Sequence, residues 1–252
     1  MYTLTPLSVA ALVVSGIAAG AINVMAGGGS MFTLPALMLL GMPAGLANGT
    51  NRVSVLTQSI SGVLAYRKSG QLDERALLPV LLPTLSGALL GSLGAAWLPE
   101  VWLKPVLLVT MVVVAALLAL RPQALSAPRG GQPRSATSLA GFTGLFLTGL
   151  YGGFIQAGVG FLLLSVLGGV LRYDLVRANA LKLVCTGIFG AVAVVVFALA
   201  DQIVWVPAVI LAVASVLGSI LGVRVATRIP DRAIRWVVFA AVLLVSVGAY
   251  LR

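Results

Sequence analysis

Apolar residues run in long blocks with short polar gaps, near 7–25, 48–66, 76–98, 101–120, 138–156, 176–200, 205–226 and 233–251. Each block approaches the ~20 residues that a helix needs to cross a bilayer. Two further blocks are shorter, Met31–Gly41 and Phe161–Leu171. Eleven residues of helix rise only ~17 Å, against a hydrocarbon core of ~30 Å. Each short block follows a glycine-rich break, Ala26-Gly27-Gly28-Gly29-Ser30 in one case and Ala157-Gly158-Val159-Gly160 in the other. The pattern predicts an all-α, polytopic transmembrane bundle with two short, broken segments.

The two breaks expose an internal repeat. Ala26 corresponds to Ala157, an offset of 157 − 26 = 131 residues. At that offset Gly27 meets Gly158, Gly29 meets Gly160, Ala47-Asn48 meets Ala178-Asn179, Gly87 meets Gly218, and Pro99-Glu100 meets Pro230-Asp231. No gap is needed over this range. The register predicts two homologous five-segment halves, 1–120 and 138–252. The joining stretch 121–137 is basic and rich in Gly and Pro, the composition of a linker.

Composition narrows the class. Of 252 residues, 60% are hydrophobic and 9% charged, too few charges to cover a soluble surface, where about 25% is usual. The net charge of +10 does not indicate nucleic acid, because the cations sit in the gaps between apolar blocks and form no continuous patch. They act instead as topology signals. If all ten segments cross, Arg67, Lys68, Arg75, Arg121, Arg129, Arg134, Arg172, Arg177, Arg224, Arg228, Arg232 and Arg235 fall on one side, and Lys104 and Arg252 on the other. If the short segments re-enter instead, the same residues divide seven against seven. The positive-inside rule therefore favours ten crossings, with both termini outside, 121–137 cytoplasmic, and the second half inverted relative to the first. The N-terminal block has no Lys or Arg ahead of it and is expected to be a retained helix. A multi-pass protein of the bacterial inner membrane is expected.

Candidate chemistry concentrates at the breaks and just beyond them. A helix start presents unpaired N–H groups and the positive end of the dipole, and glycine admits close approach to the backbone. The half-helix starts at Gly27, Gly28, Gly29 and Ser30, and at Gln156, Gly158 and Gly160, thus suit an anion. The bland reading is close helix packing, which is preferred for the Gly87/Gly91 and Gly218/Gly222 pairs. Two cations interrupt apolar blocks. Arg52 follows Asn48, Thr50 and Asn51, and Lys182 follows Asn179. An intramembrane cation marks a functional site by default; its ordinary alternative is snorkelling to the interface. All six acidic residues lie at segment ends or in loops, and there is no histidine, so the counter-charge of Arg52 and Lys182 is expected to be the substrate. The same absence speaks against a hydrolase, which needs an acid–base pair. No metal or other cofactor is expected, since one cysteine and no histidine supply no ligand cluster. The expected partners are a small anionic substrate and lipid.

At these residues the chain resembles the sulfite exporter TauE/SafE-like family, also called the toluene-sulfonate uptake permeases. AGGGSMFTLPALMLLGMPAGLANGTNRV at 26–53 looks like the family's first repeat signature. AGVGFLLLSVLGGVLRYDLVRANALKLV at 157–184 resembles its degenerate second copy, with Val166 in place of Pro35 and Leu181-Lys182 in place of Thr50-Asn51. The resemblance covers essentially the whole chain. It implies transport of sulfur-containing anions such as sulfite or organosulfonates. A carrier of another small metabolite with five-plus-five helices, or a non-transporting membrane subunit, are the alternative readings.

Overall fold

A computed structural model describes residues 5–26, 28–68, 70–120 and 134–225, with residues 236, 239, 240, 242, 243, 247 and 248 of the last block. Gly27 and most of the linker lie outside the described residues. Every element among the described residues is helical. In chain order they are α1 (Pro6–Ala26), α2 (Ser30–Leu39), α3 (Ala44–Lys68), α4 (Glu74–Trp97), α5 (Glu100–Leu120) and α6 (Leu139–Phe154). Then follow α7 (Val159–Leu164), α8 (Leu175–Leu199) and α9 (Trp205–Val225). A π-helical stretch, Ser165–Val170, extends α7 directly. Its bonds skip a residue, as from Leu171 N–H to the Val166 carbonyl at 2.9 Å.

Four helices, α1, α4, α5 and α8, are long and apolar enough to cross a membrane. The short segments are as short as expected, ten residues in α2 and twelve across α7 and its extension. Helix α3 has 25 residues but a polar stripe, which its packing explains below. The connection before α3 is briefer than the irregular Met42–Ala47 expected from sequence, because the helix starts at Ala44. Glu100, at the start of α5, accepts hydrogen bonds from the Ala44 N–H and, at 3.0 Å, from the Gly45 N–H. A carboxylate at a helix N-terminus satisfies orphan donors and complements the dipole. The corresponding helix α8 is capped by its own Asp174, which accepts from Val176 N–H and Arg177 N–H. Position 43 is Pro, so the first half imports its cap from α5.

The repeat appears in the geometry. Both ends of α3 reappear in α8 at an offset of 131 residues, and the start of α4 reappears in α9. Left-handed turns recur at the same offset, Gly41 (φ 89°) with Arg172 (φ 60°), and Gly70 (φ 67°) with Asp201 (φ 59°). The first helices follow a different register. A Cβ on Gly20 would lie 2.0 Å from the Ser215 carbonyl oxygen, and one on Gly149 would lie 2.2 Å from that of Thr84. Ser215 and Thr84 are 131 apart, but Gly20 and Gly149 are 129 apart. Two extra residues therefore sit between α6 and the second break, in the stretch that holds Gln156.

Glycine sets how closely the helices pack. Gly87 and Gly91 of α4 lie against the backbone of α6 at Phe146 and Leu150, and Gly16 and Gly20 of α1 lie against α9 at Leu211 and Ser215. Positions advance together in both pairs, so α1 runs parallel to α9 and α4 to α6. Helices α3 and α8 cross antiparallel, with Gly62 beside Leu183, Ser59 bonded to Thr186, and Leu56 beside Gly190. One core cluster joins α2, α5 and the C-terminal part of α8 through Leu34, Leu37, Leu107 and Phe197. The other joins α4, α7 and the first part of α8 through Val80, Leu163, Leu167 and Phe189. Leu78, Leu82, Val109, Val113, Val209 and Val213 point outward. Such an apolar exterior suits lipid rather than water. Trp97, Trp102 and Trp205 are exposed at helix ends, where indoles anchor at a membrane interface.

Candidate functional site

Helix α3 carries the polar interior. Asn48, Thr50, Asn51, Arg52, Ser54, Gln58 and Ser59 are all buried along it. Asn48, Arg52 and Ser59 share one face, and Asn51, Ser54 and Gln58 the neighbouring one, at the spacing of helical turns. Lipid offers these groups no partner, so they turn inward.

Arg52 is fully buried, and its guanidinium reaches the end of α6. Nη1 donates to the Gly152 carbonyl and, at 3.0 Å, to Gln156 Oε1. Nη2 donates to the Gly153 carbonyl at 2.7 Å and to Asn48 Oδ1 at 3.1 Å. Asn48 Nδ2 donates to the Phe154 carbonyl at 2.8 Å. The last three carbonyls of α6, which no residue of that helix can satisfy, are thereby capped by two side chains of α3. The negative end of the helix dipole stands where a carboxylate would otherwise be needed. The guanidinium also lies over the Phe197 ring, 5.4 Å from its centroid. The sequence showed no acidic partner for Arg52; the structure supplies one from backbone.

The two breaks meet beside this cap. Ser30 Oγ donates to the Gln156 carbonyl at 3.3 Å. A Cβ on Gly28 would come within 2.8 Å of the Phe161 ring, and one on Gly158 within 2.2 Å of the Met31 methyl. Gly29 lies against the Ala19 carbonyl of α1, at 2.3 Å from its built Cβ. Gln156 and Gly158 both adopt left-handed backbone (φ 68° and 72°), which turns the chain sharply from α6 into α7. Gly160 is buried in the first turn of α7. Asn51 accepts from Thr33 Oγ1 at 2.5 Å, which joins α3 to α2. Thr50 accepts from the Val204 N–H at 3.0 Å and binds the loop before α9.

The structure thus brings together Gly28, Gly29, Ser30, Asn48, Asn51, Arg52, Gln156 and Gly158. Gly27 lies outside the described residues. Lys182 and Asn179 do not join this group. Leu56 lies beside Gly190 on the antiparallel pair, so the level of Arg52 on α8 is near Ala193. That is about eleven residues beyond Lys182, or about 17 Å at 1.5 Å per residue. Lys182 Nζ donates to Asn179 Oδ1 at 2.9 Å, and Asn179 Nδ2 turns back to the Leu175 carbonyl of its own helix. The second half has no counterpart of the Arg52 cap.

Three buried donors at the junction have no partner: Asn51 Nδ2, Arg52 Nε and Gln156 Nε2. The remaining unpartnered buried group is an acceptor, Gln202 Oε1, at the outer turns of α3 beside Gly45, while Gln202 Nε2 donates to the Ala96 carbonyl. Further polar pairs that the sequence reading did not single out are Asn23 with Gln58 at 2.7 Å, Ser54 with Ser215 at 3.3 Å, and Ser59 with Thr186 at 2.9 Å. Their signal was available in the helical spacing of polar residues along α3. Among the described residues no group of metal-binding side chains occurs.

A helical bundle with an apolar outer belt, and with a buried polar junction where two broken helices meet, has the build of a membrane transporter. Residues 12–249 match the family described as Sulfite exporter TauE/SafE, and the chain belongs to that family. It is similar to a probable membrane transporter protein of Haemophilus influenzae, 26% identical over 83% of this chain and 81% of that one. It is also similar to the probable membrane transporter protein YfcA of Escherichia coli K12, 24% identical over 93% of this chain and 87% of the other. A Sinorhizobium protein, probable membrane transporter protein ORF9, is 36% identical over 44% of this chain and 42% of its own length. The protein is a multi-pass membrane transporter of this family.

Proposed function

We propose that the protein carries a small sulfur-containing oxyanion, such as sulfite or an organosulfonate, outward across the bacterial inner membrane. The observation that carries this reading is the sign of the unpartnered groups. At the meeting of the breaks the groups without partners are all donors, on Asn51, Arg52 and Gln156, each 1% exposed or less. Buried donors strongly favour an acceptor, and an oxyanion offers several in one small body. The starts of α2 and α7 add the positive ends of two dipoles.

Packing supports the inverted arrangement of the halves. Five crossings per half make corresponding helices antiparallel, whereas four would make them parallel. The antiparallel crossing of α3 and α8, with α1 parallel to α9 and α4 to α6, fits five. The halves are then 1–120 and 138–252, with 121–137 on the cytoplasmic side and the three exposed indoles at the outer face. An Arg129→Cys variant is expected to react with an impermeant thiol reagent only when the cytoplasmic face is open. Labelling from outside intact cells would refute the topology.

Direction follows from energetics. The buried interior of α3 and α8 holds no Asp, Glu or His. An interior negative by 100 mV favours outward movement of each negative charge by ~2.3 kcal/mol. Voltage alone therefore drives export, without a titrating carboxylate. The test is flux of labelled sulfite and taurine in proteoliposomes, with voltage and pH gradients set independently by ionophores. Sulfite flux is expected to follow voltage. Flux that follows the pH gradient and ignores voltage, or no flux of either anion, would overturn the proposal.

A further inference from the structure

We infer that Lys182 and Asn179 form a second anion station, separate from the Arg52 cradle, which receives the anion from the cytoplasmic side. The inference rests on the anion-transport reading and concerns a part of the molecule that the cradle does not reach. Both cations are buried, yet they stand in different chemical states. Arg52 meets four hydrogen-bond acceptors and an aromatic face. Lys182 is 3% exposed, and its ammonium makes one hydrogen bond, to Asn179 Oδ1. An ammonium has three donors. The ion pairs among the described residues both belong to Arg177, with Asp73 and with Asp174, at the exposed start of α8. Lys182 is thus a buried charge with two donors unspent and no carboxylate beside it. Such a charge is unfavourable unless something of opposite sign completes it.

Position decides the side. Lys182 lies seven residues into α8, about 10 Å at 1.5 Å per residue. The start of α8 carries Arg172 and Arg177, on the cation-rich face. Asn179 is half-buried one turn nearer that face, so the pair stands at the inner end of a short approach from it. Arg52 lies eight residues into the antiparallel helix α3, near the opposite face. The repeat does not impose this pairing. The counterpart of Lys182 is the neutral Asn51, and the counterpart of Arg52 is Leu183. A frame of two similar halves therefore holds two unlike stations. The outer charge is largely taken up by the end of α6, and the inner one is unspent. An anion arriving from the cytoplasm meets the stronger attraction first, which suits loading for export.

The test uses full-length protein reconstituted in vesicles of known orientation, with sulfite presented to one face at a time. In Lys182→Gln the half-saturating sulfite concentration at the cytoplasmic face is expected to rise about tenfold or more, the loss of one charge-assisted contact. At the outer face it stays within about twofold, and Lys182→Arg restores most of the cytoplasmic-face affinity, since a cation is retained. Asn179→Ala, which removes only a half-buried side chain, is expected to shift the cytoplasmic-face value in the same direction. Equal shifts at both faces, or failure of Lys182→Arg to restore the affinity, would mean a structural lysine and overturn the inference. So would an unchanged cytoplasmic-face value in both Lys182→Gln and Asn179→Ala. Those outcomes leave wild-type transport intact, so they are distinguishable from failure of the transport reading, in which wild-type protein moves no sulfite from either face.

Discussion

Replacing Arg52 by methionine removes the cap on α6 while keeping a long apolar side chain. The Gly152 and Gly153 carbonyls, Gln156 Oε1 and Asn48 Oδ1 each lose a donor. Hydrogen bonds to a charged group contribute about 1.5–3 kcal/mol each, so four represent roughly 6–12 kcal/mol before desolvation of the guanidinium is counted. Desolvation takes back several kcal/mol, and removing one partner of a buried charged set typically leaves a net loss of about 3–5 kcal/mol. Lys182→Met is the control. It deletes a single hydrogen bond and also removes a buried, uncompensated charge, so stability is expected to hold or rise. The chain provides its own reporter, since Cys185 is its one cysteine and is buried. A thiol-reactive fluorophore in mild detergent therefore reports unfolding directly. At 2–4 °C per kcal/mol for a chain of this size, Arg52→Met is expected to lower the midpoint by roughly 6–20 °C. A midpoint within about 2 °C of wild type would refute the cap, and an equal fall in Lys182→Met would refute the contrast between the two cations.

Helix contacts give a second set of expectations for the same unfolding assay. A Cβ at position 87 would lie 2.1 Å from the Phe146 carbonyl oxygen, and one at 218 would lie 2.1 Å from that of Ile17. Gly87→Ala and Gly218→Ala are each expected to cost about 1–3 kcal/mol as the helices part. Gly94→Ala, whose nearest neighbour is 3.7 Å away, should be neutral. At the left-handed turn, Gly41→Ala meets nothing within 4 Å, so its expected loss of about 1–2 kcal/mol comes from backbone conformation alone. Its counterpart Arg172→Gly relieves that same conformation and should raise the midpoint; a fall would count against the φ argument. Glu100→Ala removes the acceptor for two N–H groups of α3, an expected loss of about 0.5–2 kcal/mol, and an unchanged midpoint would show that the cap adds nothing.

The number and length of the helices were legible because the bilayer sets them, and a solvent slab ~30 Å thick writes itself into apolar blocks of ~20 residues. The repeat was legible too. Its 131-residue register reproduces both ends of α3 in α8 and two left-handed turns, even where Gly41 becomes Arg172 and Gly70 becomes Asp201. The glycines, Asn48, Arg52 and Lys182 stood out by type and spacing. What packing alone decided concerns partners. The carbonyls that hold Arg52 belong to Gly152 and Gly153, whose residue type says nothing about acceptors, because every residue has a carbonyl and only the end of a helix leaves it free. The two-residue shift that brings Gln156 into the junction lies in the fit of α6 against α4, not in the break itself. Arg52 and Lys182, adjacent in the repeat register, came apart for a similar reason. Equivalent positions on antiparallel helices coincide only at the crossing point, here between Leu56 and Ser59, and every residue of distance from it separates the pair by about 3 Å.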